Sequence, residues 1–191
     1  YLAVEAARSH RRSSLAALLW PELPEGDALR NLSRALYNLR QAISDRETDS
    51  PCLLVSRGAI RFDPESDHWL DVQAFTSHIS AARSHDHAAL TDCPTCVQHL
   101  SDAADLYRGD FMDGFSLDST AFEAWLVVQR EALHQQALWA LEQLADHHEG
   151  EEAYDQALAC ARRQIALEPW RERAHRQAMR AHALNRHRAA A

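Results

Sequence analysis

The sequence predicts a mainly α-helical fold, and three observations support this prediction. Apolar residues recur at spacings of three and four through most of the chain, which is the periodicity of helices that bury one face. Prolines and glycines separate these segments. With 191 residues, of which 46% are hydrophobic, the chain can form one large core or two small ones.

The first elements are two helices separated by a short break. Ser13 and Ser14 are expected to cap a helix over Leu15 to Trp20, which Pro21 ends because proline has no N–H donor. The linker "PELPEG" follows, and Asp27 is expected to cap the next helix. Two helices with such a break are typical of a helix-turn-helix unit.

The second of these helices is predicted to have two chemically different faces. Its apolar stripe consists of Leu29, Leu32, Leu36, Leu39 and Ile43. Its polar side carries Arg30, Arg34, Asn38 and Gln41, flanked by Asn31, Tyr37 and Arg40. Arginine suits guanine edges and phosphates, and Asn and Gln suit adenine, so this side is a candidate DNA-binding surface. The alternative is a solvated face of an amphipathic helix.

A β-hairpin is predicted next, in "CLLVSRGAIRFD" from Cys52 to Asp63. Gly58 is expected to supply the positive φ of the turn. A hairpin after a helix-turn-helix makes a winged unit, so Arg57 and Arg61 are expected to contact phosphate or the minor groove. Cys52 and Cys160 are expected to be packing residues.

Charge is distributed unevenly, although the net charge is −8. Residues 1 to 63 carry 9 Arg and 8 acidic residues, whereas residues 64 to 191 carry 11 Arg and 20 acidic residues. The basic side chains therefore concentrate near the predicted winged unit, and the acidic remainder suits protein partners better than DNA. Apolar runs are too short to span a membrane, and we expect a cytoplasmic protein.

The chain after residue 67 is predicted to be wholly helical. Helices are expected at Leu70 to Ser84, Pro94 to Tyr107, Thr120 to His148, Glu152 to Leu167 and Arg171 to Asn185. Thr120 and Glu123 have the spacing of a capping box. Small residues at Ala157 and Ala161, with Pro169 after the helix, fit a tetratricopeptide pattern, which predicts a helical superhelix.

A second candidate site lies in "HDHAALTDCPTC", where His85, His87, Cys93 and Cys96 follow the spacing H-x-H-x5-C-x2-C. Two thiolates and two imidazoles can close a tetrahedral structural zinc site, and His78 or His99 could replace either histidine. A redox pair of thiols, or no special role, are the alternatives. No grouping of residues predicts a catalytic site, so an enzyme is not expected.

Three segments, "LAALLWPELP", "ALRNLSRALYNLRQAI" and "LLVSRGAIRFD", closely resemble the winged-helix DNA-binding domain of SARP-type bacterial transcriptional activators. "LYRGDFMDGFSL", "FEAWLVVQREAL" and "ARRQIALEPWRERAHRQAMRA" resemble the bacterial transcriptional activator domain that follows it. This resemblance implies an OmpR-like winged helix-turn-helix over residues 1–67 and tetratricopeptide-like repeats over residues 68–191. The opening "YLAVEAA" matches the end of the first winged-domain helix, so the winged unit is expected to be truncated, without the family's N-terminal strands.

The predicted function is therefore that of a DNA-binding transcriptional activator fragment. Its winged helix would read DNA, and its acidic helices would contact the transcription machinery or a second copy. A homodimer would let two winged helices read repeated half-sites. The alternative is a tetratricopeptide-type interaction or signalling module that does not bind DNA. No Gly-rich phosphate loop occurs, so any ATPase part of the family architecture would lie outside this chain.

Overall fold

The computed structural model describes residues 1–86 and 90–190. In this part of the chain the fold is mostly helical, with one small antiparallel sheet, as the sequence predicts. The strands are β1 (His10–Arg11), β2 (Leu53–Val55) and β3 (Ala59–Phe62). The helices are α1 (Arg12–Leu19), α2 (Glu25–Ala42), α3 (Asp71–Ser84), α4 (Pro94–Leu106), α5 (Thr120–Gly150), α6 (Tyr154–Leu167) and α7 (Glu172–Ala190). A 3-10 turn, Leu90–Asp92, precedes α4.

The first compact unit contains Tyr1–Leu70 and Gly114–Val128. Its sheet has the order β1-β3-β2, with His10 opposite Ile60 and Val55 opposite the same residue on the other side. The predicted hairpin is therefore confirmed as β2 and β3. The core of this unit is formed by side chains from α1, α2 and the hairpin: Leu15, Ala16, Ala28, Leu32, Leu36, Leu53 and Ile60. It is a small winged-like N-terminal part.

The apolar stripe of α2 is only partly buried. Leu32 and Leu36 lie in the core and Leu29 packs at its edge, but Leu39 is 42% exposed and Ile43 is 47% exposed. The periodicity of the stripe predicts that all five residues pack against their own unit, and this prediction is wrong for the last two. The reason is length, because α1 has 8 residues and α2 has 18. At about 1.5 Å per residue, α1 can cover less than half of α2.

Several predicted helix ends and turns also need correction. The N-caps of α1 and α2 are Arg11 and Pro24, neither of which makes a side-chain capping bond. Ser13, Ser14 and Asp27 are therefore not caps, because the two serines lie inside α1 and Asp27 lies inside the first turn of α2. Gly58 does not have a positive φ, so the β2–β3 turn does not require glycine for that reason.

Two further corrections concern the ends of other helical segments. "YLAVEAA" forms hydrogen-bonded turns, with the Glu5 N–H donating to the Tyr1 carbonyl four residues earlier, and contains no α-helix of its own. At the start of α5, the hydroxyl of Ser119 accepts a hydrogen bond from the Phe122 N–H at 3.3 Å. Glu123 instead accepts from the N–H of Leu117. The capping residue is therefore Ser119, one residue before the predicted Thr120.

The second compact unit contains Asp71–Asp113 and Gln129–Ala191. Helix α3 packs on α4, and α6 packs on α7. Alanines at the centre of the packing, including Ala82, Ala103, Ala140 and Ala161, have no exposed surface, which lets neighbouring helices approach closely. This is the tetratricopeptide-like helical arrangement that the sequence predicts. No helix within the described ranges is long and apolar enough to cross a membrane.

Candidate functional site

The polar side of α2 forms a surface that we call the α2 polar face. Six of the predicted DNA-binding residues lie on it: Arg30, Asn31, Arg34, Tyr37, Asn38 and Gln41. At roughly 100° per residue they occupy an arc of roughly 120°, centred on Arg34 and opposite the buried Leu32 and Leu36. All six are exposed. The helix therefore presents the whole set to solvent together.

Three members of the α2 polar face are unpartnered in the part of the chain that the structure describes. Asn31, Arg34 and Asn38 make no hydrogen bond or ion pair with any residue that the structure describes. The guanidinium of Arg34, which has five N–H donors, and the side-chain amides of Asn31 and Asn38 are consequently free to bind a ligand. Because Asn31 and Asn38 lie seven residues apart with Arg34 between them, the three side chains follow one line along the helix.

The other members of the α2 polar face are held by neighbouring side chains. Arg30 pairs with Asp27 one turn earlier. The Gln41 amide donates to the Tyr37 hydroxyl at 3.2 Å. The guanidinium of Arg46, which the sequence reasoning missed, lies 5.3 Å from the centroid of the Tyr37 ring. These exposed contacts are weak and are readily exchanged for contacts with a ligand.

Arg40 differs from the rest of the predicted DNA-binding set. Its Nε donates to the Asp45 Oδ2 at 2.7 Å, and the Arg40 side chain is only 22% exposed. The second oxygen of Asp45 accepts from the backbone N–H of Leu53 at 3.1 Å. Asp45 itself is buried, at 2% exposure. This Arg40–Asp45–Leu53 bridge joins the end of α2 to the first strand of the hairpin.

The two predicted hairpin arginines occupy different environments. Arg57 lies in the turn between β2 and β3, is exposed, and has no hydrogen-bond or ion-pair partner in the described part of the chain. Arg61 lies on β3 opposite Leu54, and its Nε donates to the Ala6 carbonyl at 3.4 Å. Arg57 is therefore more available to a ligand than Arg61.

Arg12 is a further basic residue beside α2 that sequence reasoning missed. It begins α1, and its Nη2 donates to the Ser33 hydroxyl at 2.7 Å. Ser33 in turn donates to the Leu29 carbonyl, one turn back in α2. The pair "RR" at 11–12 is a visible signal in the sequence, but only the packing of α1 on α2 shows that Arg12 reaches this helix.

The predicted zinc ligands lie between the end of α3 and the start of α4. The Nδ1 atom of His85 lies 3.3 Å from the Sγ of Cys93 and 3.4 Å from the Sγ of Cys96. We call these three residues the thiol–imidazole cluster. Cys93 is the N-cap of α4, and Cys96 is fully buried in its first turn. His87, the fourth residue of the predicted set, lies outside the described residues.

The two thiols of the cluster have pKa values shifted in opposite directions. Hydrogen bonding from the backbone N–H of Cys96 to the thiolate lowers the pKa of Cys93, despite some desolvation. Burial raises the pKa of Cys96, and the hydrogen bond and charge of Cys93 raise it further. Cys93 is therefore the first of the two to become a thiolate, which is the form that binds metals and reacts.

His78 and His99 form a separate group with Asp102. The Nδ1 atoms of the two histidines are 3.0 Å apart, and the Nδ1 of His78 is 3.8 Å from an oxygen of Asp102. All three have metal-binding side chains, and they lie partly exposed along the packed faces of α3 and α4. The grouping was missed because its residues come from two helices whose register is set by packing.

The fold defines a class of helical protein, with a small winged-like part followed by tetratricopeptide-like helices. Residues 70–191 match the model of the family described as the bacterial transcriptional activator domain, and the chain belongs to that family. It is thus a regulator of the transcriptional activator type. The comparison with curated proteins gives no match. The predicted domain division at residue 67 stays a prediction.

Proposed function

We propose that this chain is a DNA-binding transcriptional activator in which an OmpR-like winged helix reads DNA through the α2 polar face. The observation that supports this most directly is the line of exposed, unpartnered side chains at Asn31, Arg34 and Asn38. Exposed donors and acceptors without a partner in the described residues are available to bind a ligand. Here they lie on the second helix of a helix-helix-hairpin unit, where DNA-reading residues of winged helices lie.

The chemistry of the α2 polar face suits the major groove. Arg34 can donate two parallel hydrogen bonds to the O6 and N7 atoms of guanine, and Asn31 and Asn38 can bind the N6 and N7 atoms of adenine. Arg30, Tyr37 and Gln41 are near enough along the helix to add phosphate or base contacts. An α-helix fits the major groove, which is roughly 12 Å wide.

The hairpin gives a second point of contact. Arg57 at its tip would bind phosphate or enter the minor groove, and Arg61 and Arg12 would add positive charge beside it. Arg40 acts by positioning, because the Arg40–Asp45–Leu53 bridge fixes the end of α2 against β2. The geometry of the DNA-binding unit thus depends on one buried carboxylate.

The acidic helices are proposed to contact protein. Residues 64–191 carry 20 acidic residues against 11 Arg, a balance that disfavours DNA and favours a basic partner surface. The transcription machinery and a second copy of the chain are the two partners that the regulator function implies. The predicted homodimer stays a prediction.

The test is a fluorescence-anisotropy titration of duplex DNA from the region upstream of the protein's own gene, repeated at several salt concentrations. We expect binding that weakens steeply with salt, because phosphate contacts release counterions. R34A should reduce the affinity about 5- to 150-fold, which corresponds to about 1–3 kcal/mol for one bidentate base contact. R57A should weaken binding similarly to all sequences and lower the salt slope by about 0.9.

A matched control is R162A, which removes the same charge from an exposed position on α6. It lies in the other compact unit and should leave the affinity within about twofold of the wild type, since an exposed charge that does not touch the DNA acts only through screened fields. Equal losses for R34A and R162A would reject the α2 polar face as the reader. No binding by the wild type at low salt would favour the interaction-module alternative.

A further inference from the structure

The thiol–imidazole cluster has the interatomic distances of a metal site. With Zn–S bonds of about 2.3 Å and a Zn–N bond of about 2.0–2.1 Å, a tetrahedral ion separates its sulfur and nitrogen ligands by roughly 3.6 Å. The observed separations from His85 Nδ1 are 3.3 Å to Cys93 and 3.4 Å to Cys96. All three ligand atoms lie within 4.8 Å of one another. Small movements of the side chains would therefore complete the geometry.

We propose that His85, Cys93 and Cys96 bind one zinc ion, which joins the end of α3 to the first turn of α4. Two thiolates and one imidazole are a soft ligand set that suits Zn²⁺ in a tetrahedral site. Cys96 is in the first turn of α4 and cannot move without moving the helix, so the ion fixes the helix pair. The fourth position accepts water or a further donor.

Zinc binding at the cluster displaces protons from the two thiols. Binding removes one proton from each thiol and leaves the imidazole neutral, so two protons leave as one Zn²⁺ enters. The positive ion also compensates for the cost of a thiolate at Cys96, which is fully buried in the first turn of α4.

The nearby His78–His99–Asp102 group is a weaker competitor for the same ion. It offers only nitrogen and oxygen ligands, and Asp102 already accepts a hydrogen bond from the Gln98 amide at 2.8 Å. Thiolate ligands select zinc more strongly than carboxylate ligands do. The two groups lie along the same helix pair, so variants in one are matched controls for the other.

The experiment uses the full chain, purified in reductant without chelator. Zinc is measured by elemental analysis, and the metal-depleted chain is then titrated with ZnCl₂ or CoCl₂. We expect close to one zinc per chain and a thiolate-to-cobalt charge-transfer band on cobalt loading. C93S and H85A should weaken zinc binding at least tenfold, because even the loss of a group that only orients a metal ligand costs about 10- to 100-fold. C96S can disturb folding because Cys96 is buried, so the conclusion rests on the other two.

Two control variants complete the test. H99A removes an imidazole from the competing group, and C52S removes a thiol that lies in the other compact unit. Both should retain zinc at the wild-type level. The proposal is overturned if the wild type holds less than a few tenths of a zinc, if H99A loses the metal while H85A keeps it, or if mass spectrometry finds a Cys93–Cys96 disulfide in the reduced preparation. Since DNA binding is not part of this readout, the result is independent of the proposed function.

Discussion

Replacing Asp45 with alanine should loosen the hairpin from α2. The side chain is buried, and its two oxygens accept from Arg40 at 2.7 Å and from the Leu53 N–H at 3.1 Å. In D45A both donors lose their acceptor. The Leu53 N–H is the more costly of the two, because Leu53 is buried and its amide cannot turn to solvent.

The size of the effect follows from the exposure of the two donors. Removing one partner of a buried ion pair costs about 3–5 kcal/mol, but the Arg40 side chain is 22% exposed and can recover some hydration. An unsatisfied buried amide costs about 1–3 kcal/mol. We therefore expect D45A to reduce the free energy of opening this unit by about 3 kcal/mol. D45N keeps a neutral acceptor and should cost about half as much, since charge-assisted bonds are about twice as strong.

Amide hydrogen exchange is the suitable assay, because two compact units can unfold separately and a single global value would mix them. A loss of about 3 kcal/mol corresponds to about a hundredfold faster exchange at the Leu53 amide. Peptides from α6 and α7 should exchange at the wild-type rate. D49A removes an exposed aspartate nearby and is the control. Exchange at Leu53 that differs less than about twofold between D45A and D49A would refute the reasoning.

Three further predictions concern backbone, packing and pH. G58A should be neutral or stabilise the protein by up to about 1 kcal/mol, because Gly58 has no positive φ and a Cβ there meets no atom within 4 Å. G114A should destabilise it by about 1–2 kcal/mol, because Gly114 has a φ of 71°. Thermal unfolding of the two variants compares these effects. A161L should lower the free energy of unfolding by about 1–3 kcal/mol, because it overpacks a fully buried site. The control A159L, on the exposed side of α6, should change it by less than about 0.5 kcal/mol; urea unfolding measures both. Burial raises the pKa of Tyr107 to about 12, and the charge of Asp110 adds to this shift. The stabilising contribution of Tyr107 should therefore be complete below about pH 10 and lost as the pH rises toward 12. Ultraviolet titration of the wild type and Y107F checks this.

The helices were predictable because their apolar periodicity is local information. Helix α3 was expected from Leu70 to Ser84 and spans Asp71–Ser84, and α4 was expected to start at Pro94 and does. Caps were less predictable, because several polar residues compete at each helix start. At α5 the choice between Ser119 and Thr120 depends on which hydroxyl meets the free N–H groups. The exposure of Leu39 depends on the length of α1, which periodicity within α2 cannot reveal.

Of the candidate sites, sequence spacing predicted those whose residues share one segment. Cys93 and Cys96 lie three residues apart at a helix start, and His85 directly follows the preceding helix, so the three residues that meet are close in the sequence. His78 and His99 are 21 residues apart and meet only through the register of α3 on α4. The structural role of Arg40 was equally hidden, since Asp45 and Leu53 reach it across the end of α2.

The two ends of α2 are held by different kinds of interaction, and this affects the DNA-binding proposal. Ala28, Leu32 and Leu36 anchor the first part of the helix in the core, whereas Leu39 is 42% exposed and Ile43 is 47% exposed. The last turn is therefore fixed mainly by the hydrogen bonds of Asp45. Hydrogen bonds act over short distances and with preferred angles, so they set the direction of the helix end more closely than apolar contact does. The proposed reader residues extend along α2 from the first anchor toward the second. The hairpin turn carrying Arg57 follows directly from the strand that Asp45 holds, so one buried carboxylate links the positions of both proposed DNA contacts.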